Sequence, residues 1–373
     1  MGNGQDDDSV AFEYAWDAAC QSHSLSGVYV PGGRKYMLLP VTLSGPCNSN
    51  VTVHIDGELV APEAPFEWEC SHCYTWIAFD GVDGLVIQGS GSLDGRGAAW
   101  WREWFCFETR DILQDCLRKP TALDIGKSSN VLLRDLRFKN SPQMHIAIKH
   151  STYVFVTNVT VHTPGYIPNT DGIHIQNSEH VYVSDCDIRT GDDCISIGDG
   201  TSDIYVEGIH CGPGHGISIG SLGKDGSEDH AENIHVRNVH FRGTTNGVRI
   251  NTWQGGRGYV KNIIFEDIIC HRVLNPITID QFYSGHELLR ILPSAVQIHN
   301  VTFSNIRGTS TSRKAIELAC SLTQPCTDII LKDINLHWLW RWEAVSSCWN
   351  AQGLTNGNVQ PIVPCLEFDE TLP

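Results

Sequence analysis

From Val28 onward the chain is written in short runs in which apolar residues alternate with others, each run opened by a polar or aromatic residue. The openers are Asn130, Tyr153, His180, Asp203, Asn233, Asn262, Asn300 and Asp328, as in Asn130-Val131-Leu132-Leu133 and Asn262-Ile263-Ile264-Phe265. Alternation of this kind marks β-strands with one face turned inward. The openers recur at intervals of 23, 27 and 23 residues and then 30, 29, 38 and 28. A constant strand framework with loops of variable length produces that spacing, and the architecture it predicts is a solenoid, a single-stranded right-handed parallel β-helix. A jelly roll or sandwich would need hairpin connections and gives no reason for recurrence at coil length. Asn130, Asn233, Asn262 and Asn300 are read as corner residues whose amides satisfy turn backbone groups.

One stretch has helical rather than strand period. After the acidic run Asp6, Asp7 and Asp8, with Ser9 as the expected cap, Ala11, Phe12, Ala15, Trp16 and Ala19 mark one apolar face. This predicts a short helix closing the open end of the solenoid, a cap over about residues 1–27 of a single domain spanning 1–373.

With 373 residues and a net charge of −17, the chain is a poor match for nucleic acid or an anionic membrane, and no apolar run reaches the roughly 18 residues of a membrane span. Fourteen cysteines and Asn-X-Thr sequons at Asn50, Asn158 and Asn300 fit a secreted, extracellular protein. Close spacing suggests the pairs Cys20–Cys47, Cys106–Cys116, Cys194–Cys211, Cys320–Cys326 and Cys348–Cys365, although spacing alone does not fix connectivity. Cys70-Ser71-His72-Cys73 has the spacing of half a zinc site, but no second Cys-X-X-Cys completes it, and no metal or cofactor is expected. Met1-Gly2-Asn3-Gly4-Gln5 lacks the basic segment and apolar core of a signal peptide, so a leader is expected upstream of this start.

The candidate chemistry lies in the middle. Asp171, Asp193 and His215 are separated by 22 and 22 residues, and Asp192 adjoins Asp193. In a coil of that period the side chains stack on one face, about 4.8 Å per layer. Strand alternation would send Asp192 and Asp193 to opposite faces, so a bend is expected there, with Gly191 permitting it. A Gly-flanked histidine taken alone is usually a turn residue; the coil register makes His215 a site candidate. Crowded carboxyls cannot all ionise easily, so one should hold a proton for donation, giving an acidic pH optimum.

Asn169-Thr170-Asp171, Gly191-Asp192-Asp193, Gly214-His215-Gly216 and Arg249-Ile250-Asn251 together resemble the four signatures of polygalacturonases, family 28 of the glycoside hydrolases, in the plant style. The resemblance runs from Gly2-Asn3-Gly4 through Leu93-Asp94-Gly95-Arg96-Gly97 to the Cys-rich end. It implies an inverting hydrolase of α-1,4 galacturonosyl linkages in pectin, acting in the cell wall as a monomer. By that resemblance Asp192 is the general acid, Asp171 and Asp193 activate water, and His215 orients or tunes the acid. Inversion calls for a separation of roughly 6.5–9.5 Å between acid and base. Asn169 is read either as an amide donor in the cleft or as a corner residue. Arg249 and Tyr283 match substrate-binding positions, Tyr283 being otherwise a surface aromatic, while Asn251 stands where the family has Lys. That departure leaves three readings open: Arg257 or Lys261 compensates, the substrate is a modified or mixed pectin, or the enzyme is weak. A silent pectin-binding wall protein and a pectin lyase using an Arg or Lys base are the competing functions; the intact acids and histidine favour hydrolysis.

Overall fold

The computed structural model describes residues 2–68, 74–102, 119–283, 293–340 and 343–368. The expected Cys106–Cys116 pair and the Cys70–Cys73 motif lie outside the described residues. The chain groups into two compact units, Met1–His174 with Val181–Asp192, and Ile175–His180 with Asp193–Pro373.

The first unit opens on a strand that the sequence pattern did not announce, Asn3–Asp7, paired in parallel with Lys35–Met37. The helix follows at Ser9–Cys20 with Asp8, not Ser9, at its N-cap. Ser9 is displaced from that role because its N–H and hydroxyl both donate to the Asp7 carboxylate, while its Oγ accepts from the Leu39 amide. Phe12, Trp16 and Ala19 are buried as expected and Ala11 is exposed. Trp16 meets Phe79 edge-on at 5.4 Å, and the Cys20–Cys47 disulfide pins the helix end. Beyond the helix, parallel strands stack like residues on like. One column runs Val51, Leu85, Val131, Val154 and another Leu43, Phe79, Ile125, Ile148, each at 2% exposure or less.

The second unit repeats the plan with longer strands such as Glu228–Arg242 and Arg257–Val273. Its columns are Ile204, Ile234, Ile263, Val301, Ile329 on one sheet and Ile195, Ile217, Val248, Ile277, Ile316 on the other. Phe265 and Phe303 stack at 5.3 Å. These parallel, hairpin-free ladders are those of a parallel β-helix, and the aligned branched and aromatic side chains supply its core.

The corners explain the run openers. All eight have positive φ, between 53° and 59°. Left-handed backbone costs most residues about 1–2 kcal/mol, which Asn and Asp lessen by bonding locally. Asn300 donates to Asn262, Asn262 to Asn233, and Asn233 to Asp203, at 2.8, 2.9 and 3.1 Å. Asn130 instead donates to Asp83, at 2.6 Å. Five residues after every opener stands a second left-handed corner, at Asp135, Asn158, Asp185, Gly208, Asn238, Asp267, Asn305 and Asp333. Disulfides join Cys194–Cys211, Cys320–Cys326 and Cys348–Cys365. Cys186 and Cys270 are buried free thiols, each pushed up to about 12 by burial. Among the described residues no helix is long and apolar enough to cross a membrane.

Candidate active site

Asp171, Asp193 and His215 each lie two residues before a strand of the same sheet, the strands starting at Ile173, Ile195 and Ile217. Ile195 pairs with Ile217, so Asp193 and His215 occupy the same register position. A carboxylate oxygen of Asp193 and a ring nitrogen of His215, both in the second unit, lie within 4.8 Å of one another. Gly191 and Asp192 sit on a bend, with Asp193 directly after it and before the strand, as the alternation argument required. A Cβ on Gly191 would come within 2.0 Å of the Ile167 carbonyl, so the bend can pack there only without a side chain.

In the first unit, the Asn169 main-chain amide donates to Asp192 Oδ2 at 2.9 Å. Asn169, read as a cleft amide donor or a corner residue, meets Asp192 through its backbone amide and is held in the left-handed backbone of a corner, at φ 58°. The Gly191 amide donates to Thr170 Oγ1, and that hydroxyl donates to the Ile167 carbonyl. Beneath Asp171 lies His145, fully buried. Its Nδ1 meets the Asp171 carbonyl at 3.0 Å, its Nε2 meets Thr163 Oγ1 at 2.7 Å, and burial pushes its pKa down to about 4. Asp171 is 8% exposed, whereas Asp192 is half-buried, the more open of the two acids.

In the second unit, Asp193 is 5% exposed and held on two sides. Ser218 Oγ donates to its Oδ1 at 2.8 Å, Arg249 Nε donates to Ser218 Oγ at 3.0 Å, and Arg249 Nη2 lies 3.4 Å from both carboxylate oxygens. Arg249 thus compensates Asp193, a partner the sequence did not assign it. The Cys194–Cys211 disulfide and a 2.8 Å bond from the Cys194 amide to the Gly216 carbonyl brace the acidic bend against the histidine loop.

Asn251 departs from its expected place. It is 1% exposed, because the Gly220 backbone packs against it so closely that a Cβ there would meet Asn251 Oδ1 at 2.7 Å. It offers no open surface to a sugar, and among the described residues its Oδ1 has no hydrogen-bond partner. Neither compensating cation is placed to replace a lysine there. Lys261 lies on the opposite sheet, paired with Glu232 at 2.7 Å, and Arg257, also on that sheet, donates to the Gly226 carbonyl. Asp280, in register with Asn251, has its carboxyl pushed up by burial and then by Glu317. Tyr283 is half-buried and packs edge-on against Trp253 at 5.3 Å.

Ser218 and His145 are the site residues that the motifs did not reveal, and Thr170 stood in a motif without an assigned role. Ser218 was findable from register, since it pairs with Arg249 and stands three residues after His215. Two carboxylates and an imidazole are also a donor set able to ligate a divalent cation, but acid/base hydrolysis routes no step through one.

A parallel β-helix that gathers carboxyls and a histidine at the rim of one sheet has the equipment of a glycosidase. The model for glycosyl hydrolases family 28 matches residues 20–358, and the chain belongs to that family. It is 42% identical over 360 residues to polygalacturonase QRT2 of Arabidopsis thaliana, covering 95% of this chain and 81% of the relative. It is 41% identical over 350 residues to a polygalacturonase of Persea americana, covering 93% and 75%. Among solved structures, endo-xylogalacturonan hydrolase from Aspergillus tubingensis has the same fold, with a TM-score of 0.82 at 24% identity over 94% of each chain.

Proposed function

We propose that this glycosidase hydrolyses α-1,4 galacturonosyl linkages in pectin, with inversion. The observation that carries the reading is Asp193 and His215 at one register position, with Asp192 adjoining in sequence, in a family 28 chain whose curated relatives are polygalacturonases. Asp192, the more open acid, delivers the proton to the leaving oxygen, its Oδ2 oriented by the Asn169 amide. Asp193, fixed by Ser218 and Arg249, and Asp171 take a proton from the attacking water. His215 orients or tunes the acid through hydrogen bonding. Inversion rests on family membership. The chain acts as one monomeric domain outside the cell, in the wall, as the cysteine-rich composition supports.

Defined oligogalacturonides, with products identified by mass and early product followed by proton NMR, test this. Saturated product of inverted configuration is expected. Retained configuration would overturn the mechanism, and an unsaturated product would replace hydrolysis by elimination.

The burial of Asn251 supports one competing substrate, a modified or mixed pectin with fewer free carboxylates. It predicts faster cleavage of esterified or branched chains than of polygalacturonate at equal concentration.

A further inference from the structure

With Asn251 buried and Arg249 committed to Asp193, the expected binding positions leave a carboxylated sugar without a free cation. The second unit supplies one nearby. By strand alternation Arg249, Asn251 and Trp253 share a side of the strand Asn246–Trp253. The Trp253 indole is fixed twice: its Nε1 donates to Ser221 Oγ at 2.8 Å, and its ring stands perpendicular to Tyr283, 5.3 Å between centroids. Over that indole, 5.6 Å from its centroid, lies the ammonium of Lys224.

Lys224 is carried on a turn whose geometry is set by backbone rather than by its own side chain. Gly223, Asp225 and Gly226 have φ of 79°, 56° and 80°, and the Gly223 amide donates to Asp229 Oδ2 at 2.7 Å. The turn also lies against a second glycine segment, so close that a Cβ on Gly223 would meet Gly256 Cα at 2.5 Å. Lys224 is exposed, and among the described residues no carboxylate lies within ion-pair distance of its ammonium. An exposed cation–π contact is worth only about 0.5–1 kcal/mol, so the ammonium can exchange the ring for a stronger anionic partner.

We propose that Lys224, Trp253 and Tyr283 form a uronate subsite in which the sugar lies against the aromatic pair and Lys224 binds its carboxylate, supplying the charge that Asn251 lacks. The choice of a uronate rests on the polygalacturonate reading above. A flat aromatic surface buries the apolar face of a pyranose, and an exposed ammonium recognises a carboxylate as a point charge.

The test measures binding of hexagalacturonate and of its fully methyl-esterified form by calorimetry, in an Asp192→Asn background so that turnover does not interfere. Lys224→Gln is expected to weaken hexagalacturonate roughly three- to tenfold, the range of one partly hydrated charge contact, and to flatten its salt dependence. The methyl ester should be unaffected, and Lys224→Arg should keep most of the affinity. Equal losses for both ligands would show that Lys224 serves the turn and not the carboxylate, and would overturn the proposal. An unchanged affinity for hexagalacturonate would do the same. If wild-type enzyme cleaves no pectic oligosaccharide while Lys224→Gln still selectively weakens hexagalacturonate, the hydrolase reading falls and the subsite stands.

Discussion

Asn and Asp stand at turns on both sheets of this molecule and do opposite things. On the sheet of long strands they recur at every coil in left-handed backbone, and where they follow one another they bond like to like, as Asn300, Asn262 and Asn233 do. At the rim of the other sheet, Asp171, Asp192 and Asp193 occur once, and unlike partners meet them, a backbone amide at Asp192 and a serine and an arginine at Asp193. Recurrence marks structure here, and the interruption of recurrence marks chemistry. The comparison can be broken from either side.

The largest effect is expected at the rim. Asp192→Asn keeps volume and loses the transferable proton, so kcat on oligogalacturonides should fall by about 10² to 10⁴ with the melting temperature little changed. A near-normal rate would move Asp192 to the structural side.

His145 should give the next largest effect, and in stability. Its folded pKa of about 4 lies below the ordinary value near 6.5, so the unfolded chain takes up the proton first as pH falls. The stability it confers is complete above about pH 6.5 and is lost as pH drops toward 4, in all about 3 kcal/mol. Urea midpoints at pH 4.5 and 7 for wild type and His145→Gln should differ in pH slope, the wild type being steeper; parallel slopes would remove His145 from the account.

A ladder residue should do less, and nothing to rate per folded molecule. Asn262→Ala loses two ladder bonds and leaves Ala in left-handed backbone at φ 59°, for about 1–2 kcal/mol in urea unfolding. Asn262→Gly should recover the backbone part. A fall in kcat without a fall in stability would contradict the division between the two sheets.

The smallest change is expected at Asn251→Lys. An added ammonium would sit in register with Asp280, whose carboxyl would take up much of its charge. The Michaelis constant for polygalacturonate should therefore shift less than tenfold; a larger drop would mean the ammonium reaches the sugar.

The β-helix was legible because its period is written in residues that need left-handed backbone, and the acids because 22-residue spacing fits one coil. The second corner, five residues after the first, escaped notice because Asp, Asn and Gly share the position and no single letter repeats. Ser218 and His145 carry no motif, and only register places a serine on Asp193 or an imidazole under Asp171. Asn251 misled for a different reason. Its burial depends on how near the Gly220 backbone approaches, and a glycine in a sequence does not say what it lies against.

The fixed distance between paired corners also sets where this protein can change length. Opener-to-opener intervals range from 23 to 38 residues, yet the step from the first corner to the second is five at every coil. One residue added inside that step would reverse which side chains face the core. Fifteen more are accommodated elsewhere in the coil. Peptides or binding loops grafted into the long arcs should be carried without loss of fold, while the five-residue step is the part of each coil that a designer must leave alone.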